Sequence, residues 1–486
     1  MMLKFMDFGL VIMNSSFYRK TVSFNHFKEF SKFIRKESFM QRKNFLLFIF
    51  MLFILFCVSC NKETTSLLPI TNTNSPTETI VTLKPSIIEK TIPTTNEELF
   101  DFIIEKWKEN DTNELYSYVD QELQNLLNQE NFVYLLDNLS TIGGTLNDIS
   151  KKEKTTMNEI ENYTCILDFK NIQLHLNISL KNLKICSFTY DMFFKNTFEL
   201  RYDNNIVEQY FILTNDGYDL NAVYTYIDDG NNHPATLLIP GSGPSDFNET
   251  IGILTPFADI AHGLANNGVN SLRLDKRTLH YTNHAKVTDT IQEEYFKDFS
   301  VALNFLKEQN ITNLYLLGHS LGGQIATELA KNDSEIDGII LFNSTARHLA
   351  DIMSEQYIAI DPSNKETYET YAKLAKECVS SSCNGLYYYD TPDYYWASYN
   401  QLDIIKNIKE TNIKTLMINS TYDKQIFIDD ITLWQDTFFN YPNITIQIYD
   451  DISHFGYKID TKNTVSLYNK MDFPIELIEE FCSFCK

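Results

Sequence analysis

The chain has 486 residues, of which 43% are hydrophobic and 22% are charged. It is therefore long enough for two or three domains, and its composition excludes wholesale disorder and a coiled coil. The formal net charge is −23, and it is uneven: residues 1–60 carry nine Lys/Arg and three Asp/Glu, whereas the rest carries 32 and 61. So acidic a body repels nucleic acid and shows no basic stripe, which excludes electrostatic binding to DNA or RNA.

The front of the chain is typical of an export and anchoring signal. Two basic residues precede the apolar run Phe45–Val58, whose 14 residues are too few for a comfortable membrane span but fit a signal-peptide core. Ser59 and Cys60 follow directly, which resembles a bacterial lipoprotein signal and implies lipidation of Cys60, although Cys57 stands where that pattern usually has Leu. An uncleaved membrane anchor is the alternative. Both interpretations predict an extracytoplasmic body held at the bacterial cell surface.

Composition and periodicity predict four segments. Residues 1–60 form the export segment, in which the 39 residues before Met40 are interpreted as a mis-assigned start. Residues 61–95, rich in Thr, Ser, Asn and Pro, form a flexible tether. Residues 96–195 form a small α+β domain, and residues 197–486 form a larger α/β domain.

In the smaller domain, apolar residues at helical spacing are followed by alternating segments, so we expect two helices on a meandering antiparallel sheet. Cys165 and Cys186 fall on two of its strands, which makes a cross-strand disulfide a reasonable expectation. The segment resembles a small domain of unknown function that often precedes bacterial hydrolase domains, with a cone-like helix-on-sheet fold. No catalytic set of residues is recognisable in it, so we interpret it as a spacer or docking module.

Six cysteines remain beyond the export segment, as three locally spaced pairs. In an oxidising compartment each pair can form a disulfide, although six cysteines allow 15 connectivities. The pair Cys482 and Cys485 has CxxC spacing, but it lies at the end of the sequence without a second pair, so neither redox nor metal chemistry is expected there. No cofactor is expected.

The larger domain alternates strand-like and helical stretches, which predicts a largely parallel, doubly wound sheet. The first two strands, Val207–Leu213 and Leu220–Tyr226, have no helix between them and should form an antiparallel hairpin. The alternation stops over about 346–409, where an insertion of this size predicts a lid. Its tyrosine-rich stretch 387–396 is expected either to line an aromatic pocket or to form the core of the lid.

The sequence Gly318-His319-Ser320-Leu321-Gly322 fits the G-x-S-x-G pattern. It follows a strand and opens a helix, which is the context that a nucleophile elbow requires. The turn is so tight that side chains two residues either side of the nucleophile would clash, and glycine avoids that clash. Ser320 is therefore the predicted nucleophile, presented at the carboxyl edge of the sheet.

A serine hydroxyl needs a base, and the base needs an acid to orient it. In chains with a nucleophile elbow these two residues follow the nucleophile in the order Asp or Glu, then His. Of the two later histidines, His348 comes too early, whereas His454 follows the last strand. Asp423 lies just after the preceding strand, where it can accept a hydrogen bond from His454. Asp429 and Asp430 are rivals further along the chain.

An oxyanion needs two backbone N–H donors. One follows the nucleophile and belongs to Leu321. The other is expected from the glycine-rich loop 238–246, with Ser242 as the donor. The alternative, a phosphate-binding loop, lacks the Lys-Ser/Thr pair and the full glycine pattern.

These pieces, over about Thr197–Lys486, resemble the α/β-hydrolase superfamily. The segments PGSGPSD, RLDKR and GHSLGG, in that order, are similar to a bacterial exported esterase-like branch, although Thr278 and Ser420 stand where that branch usually has Gly. The resemblance implies hydrolysis of small carboxylic esters through an acyl-enzyme. Alternatives are a serine peptidase, amidase or thioesterase on the same triad, or a non-catalytic surface lipoprotein that uses the fold for binding.

Overall fold

The computed structural model describes residues 92–459 and 471–486. The predicted export segment with Cys60 and the tether as far as residue 91 lie outside the described residues. No helix within the described ranges has both the length and the apolar character needed to cross a bilayer.

The first described region places three helices on one antiparallel sheet. Helix α1 (Asn96–Lys108) begins after Thr95 because Thr95 and Glu98 form a capping box, in which each side chain binds the other residue's backbone N–H. Alternate residues of the third strand are buried, so one face of the sheet packs on the helices. The other elements are α2 (Gln121–Leu126), α3 (Gln129–Gly143), β1 (Leu146–Met157), β2 (Ile160–Phe169), β3 (Ile172–Lys181) and β4 (Lys184–Phe194).

The expected disulfide between Cys165 and Cys186 is wrong. The sheet order is β1-β2-β3-β4, so β3 lies between the strands that carry the two cysteines. Two strand spacings amount to about 10 Å, whereas a disulfide needs Cα atoms within about 7 Å. All six cysteines of the described residues are free thiols. Cys482 and Cys485 are buried, and burial raises their pKa values to about 11 and about 12, which disfavours thiolate chemistry.

The second region is built on a nine-stranded sheet. Its strands are β5 (Phe198–Arg201), β6 (Ile206–Asn215), β7 (Tyr218–Ile227), β8 (His233–Ile239), β9 (Asn270–Leu274), β10 (Ile311–His319), β11 (Gly338–Phe342), β14 (Lys414–Ser420) and β15 (Ile444–Tyr449). They lie in the order β15-β14-β11-β10-β8-β9-β7-β6-β5. The six strands from β15 to β9 pair in parallel, and the last three pair antiparallel, including the β6–β7 hairpin. This confirms the predicted mostly parallel sheet.

Helices cover both faces of this sheet. On β10, Leu316 packs into the cluster on one face and Leu317 into the cluster on the other, as the two-residue period of a buried strand requires. The helices are α4 (Pro256–Asn266), α5 (Arg277–His280), α6 (Lys297–Lys307), α7 (Leu321–Asn332), α8 (Leu349–Ile360), α9 (Lys365–Glu377), α10 (Asp393–Tyr399), α11 (Ile404–Thr411), α12 (Ile428–Phe438) and α13 (Ile475–Cys485). Helices α6 and α7 lie on the first face, and α4 and α13 on the second.

The insertion after β11 contains α8, α9, a short hairpin of β12 (Tyr387–Tyr388) and β13 (Thr391–Pro392), and α10. Helix α11 belongs to the main layer, because Asn407 on it donates to Glu328 of α7 at 2.7 Å. The inserted part therefore ends before residue 404. Tyr389, Trp396 and Tyr399 are buried in the main hydrophobic cluster, so these aromatic residues serve as packing core.

The two regions share a hydrophobic core. Tyr210, Val223 and Phe247 from the second region are buried in the cluster formed by the helices and sheet of the first. Asn221 on β7 links them further: its Oδ1 accepts from Phe194 N at 2.8 Å, and its Nδ2 donates to Met192 O at 2.7 Å.

Candidate active site

Ser320 lies in the turn between β10 and α7, with φ 52° and ψ −121°. A non-glycine residue in that region costs about 1–3 kcal/mol and persists only when its surroundings hold it. Ser320 N donates to Phe342 O at 2.9 Å, and Ser320 O accepts from Ser344 Oγ at 2.7 Å. The backbone thus fixes Ser320 at the carboxyl edge of the sheet.

The glycines on either side of Ser320 are required by space. A Cβ atom on Gly318 would lie 2.2 Å from Gly322 O, and a Cβ atom on Gly322 would lie 2.1 Å from Ile239 O. Both contacts are with backbone and cannot relax through a side-chain rotation. Side chains at positions 318 and 322 would therefore clash with the backbone, as the sequence pattern predicts.

Asp423 and His454 are paired and buried. His454 Nδ1 lies 2.6 Å from Asp423 Oδ2, and Asp423 Oδ1 accepts the backbone N–H groups of Gln425 at 2.7 Å and Ile426 at 2.9 Å. The two residues follow β14 and β15, which are parallel neighbours, so their carboxyl ends meet at one edge. The carboxylate is thereby oriented toward the imidazole.

Other sequence candidates lie elsewhere. Asp429 is exposed on α12, and Asp430 binds Arg347 Nε at 2.8 Å. His348 caps α8 and contacts Asn400 Oδ1 at 2.7 Å. Burial lowers its pKa, so it is neutral at pH 7.

His454 packs against His319, the residue that precedes Ser320. The centroids of the two rings are 4.6 Å apart. Within the described ranges no hydrogen bond joins the Ser320 hydroxyl to the His454 ring. In unliganded enzymes this bond is often long and tightens when substrate binds.

The predicted oxyanion loop lies against the nucleophile. A Cβ atom placed on Gly241 would be 3.1 Å from Ser320 Cβ. Ser242 follows on an exposed turn, and Leu321 opens α7. Neither Ser242 N nor Leu321 N has a hydrogen-bond acceptor among the described residues. Two unpaired backbone donors therefore flank Ser320, as an oxyanion site needs.

A buried ion pair lies behind Ser320 and was missed by sequence reasoning. His319 Nδ1 is 2.8 Å from Glu249 Oε1, and His319 Nε2 is 2.8 Å from His454 O. Burial lowers the pKa of His319, but the charge and hydrogen bond of Glu249 outweigh burial and the net shift is upward. Glu249 Oε1 also accepts Gly241 N–H at 2.7 Å. No periodicity marks Glu249, since it lies in a loop 70 residues before its partner.

Lys276 and Tyr295 were also missed as site residues, although Lys276 lies in the DKR segment (residues 275–277 of RLDKR). Both donate hydrogen bonds to Gly241 O. As for metal ligands, residues 92–459 and 471–486 contain no cluster of three His, Cys, Asp or Glu side chains that could hold an ion.

Comparisons with known proteins find hydrolases. The family model described as serine aminopeptidase, S33 matches residues 248–378. The esterase EstD of Thermotoga maritima is 30% identical over 243 residues, which are 49% of this chain and 58% of that protein. The chain thus spans less than two thirds of the length of this curated relative.

Solved structures with lower identity also match. Est1E from Butyrivibrio proteoclasticus is 14% identical with a TM-score of 0.39, covering 57% of this chain and 98% of that chain. An esterase of Pyrococcus furiosus is 14% identical with a TM-score of 0.38, covering 60% of this chain and 97% of that chain.

Proposed function

We propose that the chain is a member of the α/β-hydrolase superfamily and a serine hydrolase that cleaves carboxylic esters through an acyl-enzyme. One observation carries the proposal. The strained Ser320 stands between two unpaired backbone amides at the sheet edge where the buried His454–Asp423 pair also lies. Nucleophile, base, acid and oxyanion donors are the parts that acyl transfer needs.

In the proposed reaction His454 Nε2 takes the proton of Ser320 Oγ as that oxygen attacks the ester carbonyl carbon. The N–H groups of Ser242 and Leu321 bind the oxyanion of the tetrahedral intermediate. The intermediate collapses, the carbon–oxygen bond to the alcohol breaks, and the alcohol leaves with the proton from His454. Asp423 accepts the hydrogen bond from His454 Nδ1–H and stabilises the imidazolium.

A water molecule completes the cycle. His454 removes its proton as it attacks the acyl carbon, and Ser320 leaves with that proton while the carboxylic acid is released. Every proton and electron pair is accounted for by the residues named, so the reaction needs no redox partner.

Peptide amides are the second candidate substrate class, because the matching family model is described as a serine aminopeptidase. Esters are preferred because the relative that aligns over 243 residues is named an esterase, whereas the family model covers 248–378. Thioesters would use the same residues.

The test uses residues 61–486 with p-nitrophenyl esters from acetate to palmitate, beside Ser320→Ala. Ser381→Ala, an exposed serine in the insertion, is the matched control. We expect wild type and control to turn over esters and to be labelled by a fluorophosphonate, and Ser320→Ala to do neither. Faster turnover of aminoacyl p-nitroanilides would favour the peptidase. A folded wild type that neither reacts nor labels would support the binding lipoprotein instead.

We further propose that Cys60 anchors the protein outside the cytoplasm as a lipidated first residue. The support is the Ser-Cys pair after the apolar run Phe45–Val58. Cells expressing the chain from Met40 and fed an alkyne-tagged palmitate should label it, and Cys60→Ala should not label. Equal labelling of Cys60→Ala would contradict lipidation at this residue.

A further inference from the structure

Two buried side chains donate hydrogen bonds to the carbonyl oxygen of Gly241. Lys276 Nζ donates to Gly241 O at 3.2 Å, and the Tyr295 hydroxyl donates to the same oxygen. On its other side, Gly241 N–H donates to Glu249 at 2.7 Å. All polar groups of this residue are therefore fixed by buried side chains.

Holding this carbonyl also orients the next amide. Gly241 C=O and Ser242 N–H belong to one planar peptide unit, and in a trans peptide they point in opposite directions. Because the carbonyl is bound on the buried side, the Ser242 N–H faces away from that side. Gly241 itself lies against Ser320, since a Cβ atom added to Gly241 would lie 3.1 Å from Ser320 Cβ. The unpaired Ser242 N–H is thus kept available beside the nucleophile.

A flip of this peptide would remove the donor and would aim a carbonyl oxygen at the developing oxyanion. Glycine at 241 and 243 makes the loop easy to flip, since neither residue has a Cβ atom to restrict it. Two hydrogen bonds to one carbonyl, from Lys276 and Tyr295, oppose the flip.

Burying the Lys276 side chain costs free energy that packing alone does not recover. Its side chain is 0% exposed, pairs with Glu294, and places Nζ 3.9 Å from the centre of the Tyr295 ring. A buried ion pair is often no more stabilising than apolar residues of similar volume. Stability therefore does not explain why a lysine is buried at this position. Its hydrogen bond to Gly241 O gives it a role besides stability.

The partners of Lys276 come from a distorted helix. Glu294 and Tyr295 are consecutive residues in the π-helical turn Gln292–Phe296, which precedes α6. Such turns are rare and frequent at functional sites. Burial raises the pKa of Tyr295 well above its ordinary value, so its hydroxyl stays protonated and remains a donor.

We propose that Lys276 and Tyr295 are positioning residues that hold the Gly241–Ser242 peptide in the orientation needed for oxyanion binding. The proposal rests on the proposed esterase function. It makes the DKR segment part of the oxyanion site, although neither side chain touches the reacting atoms.

The test compares Tyr295→Phe and the double variant K276M/E294Q, in which neither charge is left unpaired. Loss of one oxyanion donor typically costs about 10²–10³-fold in kcat. We expect kcat for p-nitrophenyl acetate to fall about 10–10²-fold in each variant, with KM changed less than about threefold, because positioning is weakened rather than abolished. Lys286→Met and Tyr387→Phe, both exposed, are the matched controls and should behave as wild type.

A second readout separates positioning from misfolding. Trifluoromethyl ketones form a hemiketal whose oxyanion occupies the oxyanion site, so their Ki should rise in proportion to the loss in kcat/KM. The value of kcat is calculated per active site, and the active sites are counted by titration with a fluorophosphonate. If the variants lost titratable sites and kept the wild-type kcat per site, the role would be structural and the proposal wrong. Wild-type kcat and Ki in folded variants would also overturn it, whereas a wild type without turnover would remove the esterase proposal as well.

Discussion

His319 and Glu249 form a buried ion pair, with 2.8 Å between Nδ1 and Oε1, directly behind Ser320. The second ring nitrogen of His319 faces another acceptor, the backbone carbonyl of His454 at 2.8 Å. Two acceptors on one imidazole favour a ring protonated on both nitrogens, which agrees with the raised pKa of His319. The pair connects the glycine-rich loop 238–246, through Gly241 N–H, to the loop that carries His454.

This pair predicts a pH dependence of stability. The pKa of His319 is raised in the folded state, so its contribution is fully present below about pH 6.5, the ordinary value for histidine, and is lost as the pH rises through the raised value. The unfolding free energy of the wild type, measured by urea denaturation, should therefore fall as the pH rises from 6.5 to 9. His319→Gln should show a smaller fall over the same range. His284→Gln, an exposed histidine, should leave the profile unchanged. Identical pH profiles for wild type and His319→Gln would contradict a cationic His319.

Asp423→Asn should lower kcat strongly. In the proposed reaction, the substitution removes the charge that stabilises the His454 imidazolium. It also turns a purely accepting group into one that can donate to Nδ1, which favours the wrong tautomer. We expect kcat for esters to fall about 10³–10⁴-fold with little change in KM. Asp429→Asn is the matched control, since this exposed aspartate lies six residues further on and does not contact His454. Comparable losses in both variants would refute the assignment of Asp423.

Gly322→Ala should be much more damaging than Gly217→Ala. At Gly322 a Cβ atom would lie 2.1 Å from the backbone oxygen of Ile239, so the strand or the helix must move. At Gly217, whose φ is +80°, nothing lies within 4 Å of the added atom, and only the conformational cost of about 1–2 kcal/mol remains. We expect losses in unfolding free energy above about 3 kcal/mol and near 1 kcal/mol respectively, measured by chemical denaturation. Equal losses would show that the elbow has more room than the structure gives it.

Sequence reasoning reached the sheet and the residues at its edge because these follow from periodicity. Alternation on β10 and its neighbours predicts parallel strands, and parallel strands bring their carboxyl ends to one edge, where Asp423 and His454 meet. The catalytic roles of these residues are still proposals. The Glu249–His319 and Lys276–Gly241 contacts join loops and a turn that have no period, so only the folded chain brings them together.

The disulfide prediction failed for a related reason. Cys165 and Cys186 fall on strands, but sequence spacing does not tell whether two strands of a meander are neighbours, and β3 separates them. Likewise, the aromatic stretch of the insertion allowed a pocket wall or a packing core. The burial of Trp396 decides for the core at that residue, and it depends on contacts with distant helices.

Asn221 provides a test of whether residues 92–459 and 471–486 unfold as one cooperative unit. Its side chain binds Phe194 N and Met192 O of the first region and Asp275 Oδ2, at 2.7 Å, of the second. Asn221→Leu removes these three hydrogen bonds, one of them to a carboxylate, and leaves the buried Phe194 N–H without its acceptor, at about 1–3 kcal/mol for that group where no water reaches it.

We therefore expect Asn221→Leu to lower the unfolding free energy by about 3 kcal/mol or more while keeping a single calorimetric transition. Asn304→Leu, at an exposed position of α6, is the control and should change it by less than about 0.5 kcal/mol. The shared core of Tyr210, Val223 and Phe247 is the physical reason for one transition, because unfolding either region exposes these residues. Two separate transitions in the wild type would show that the predicted domains 96–195 and 197–486 are energetically independent despite that core.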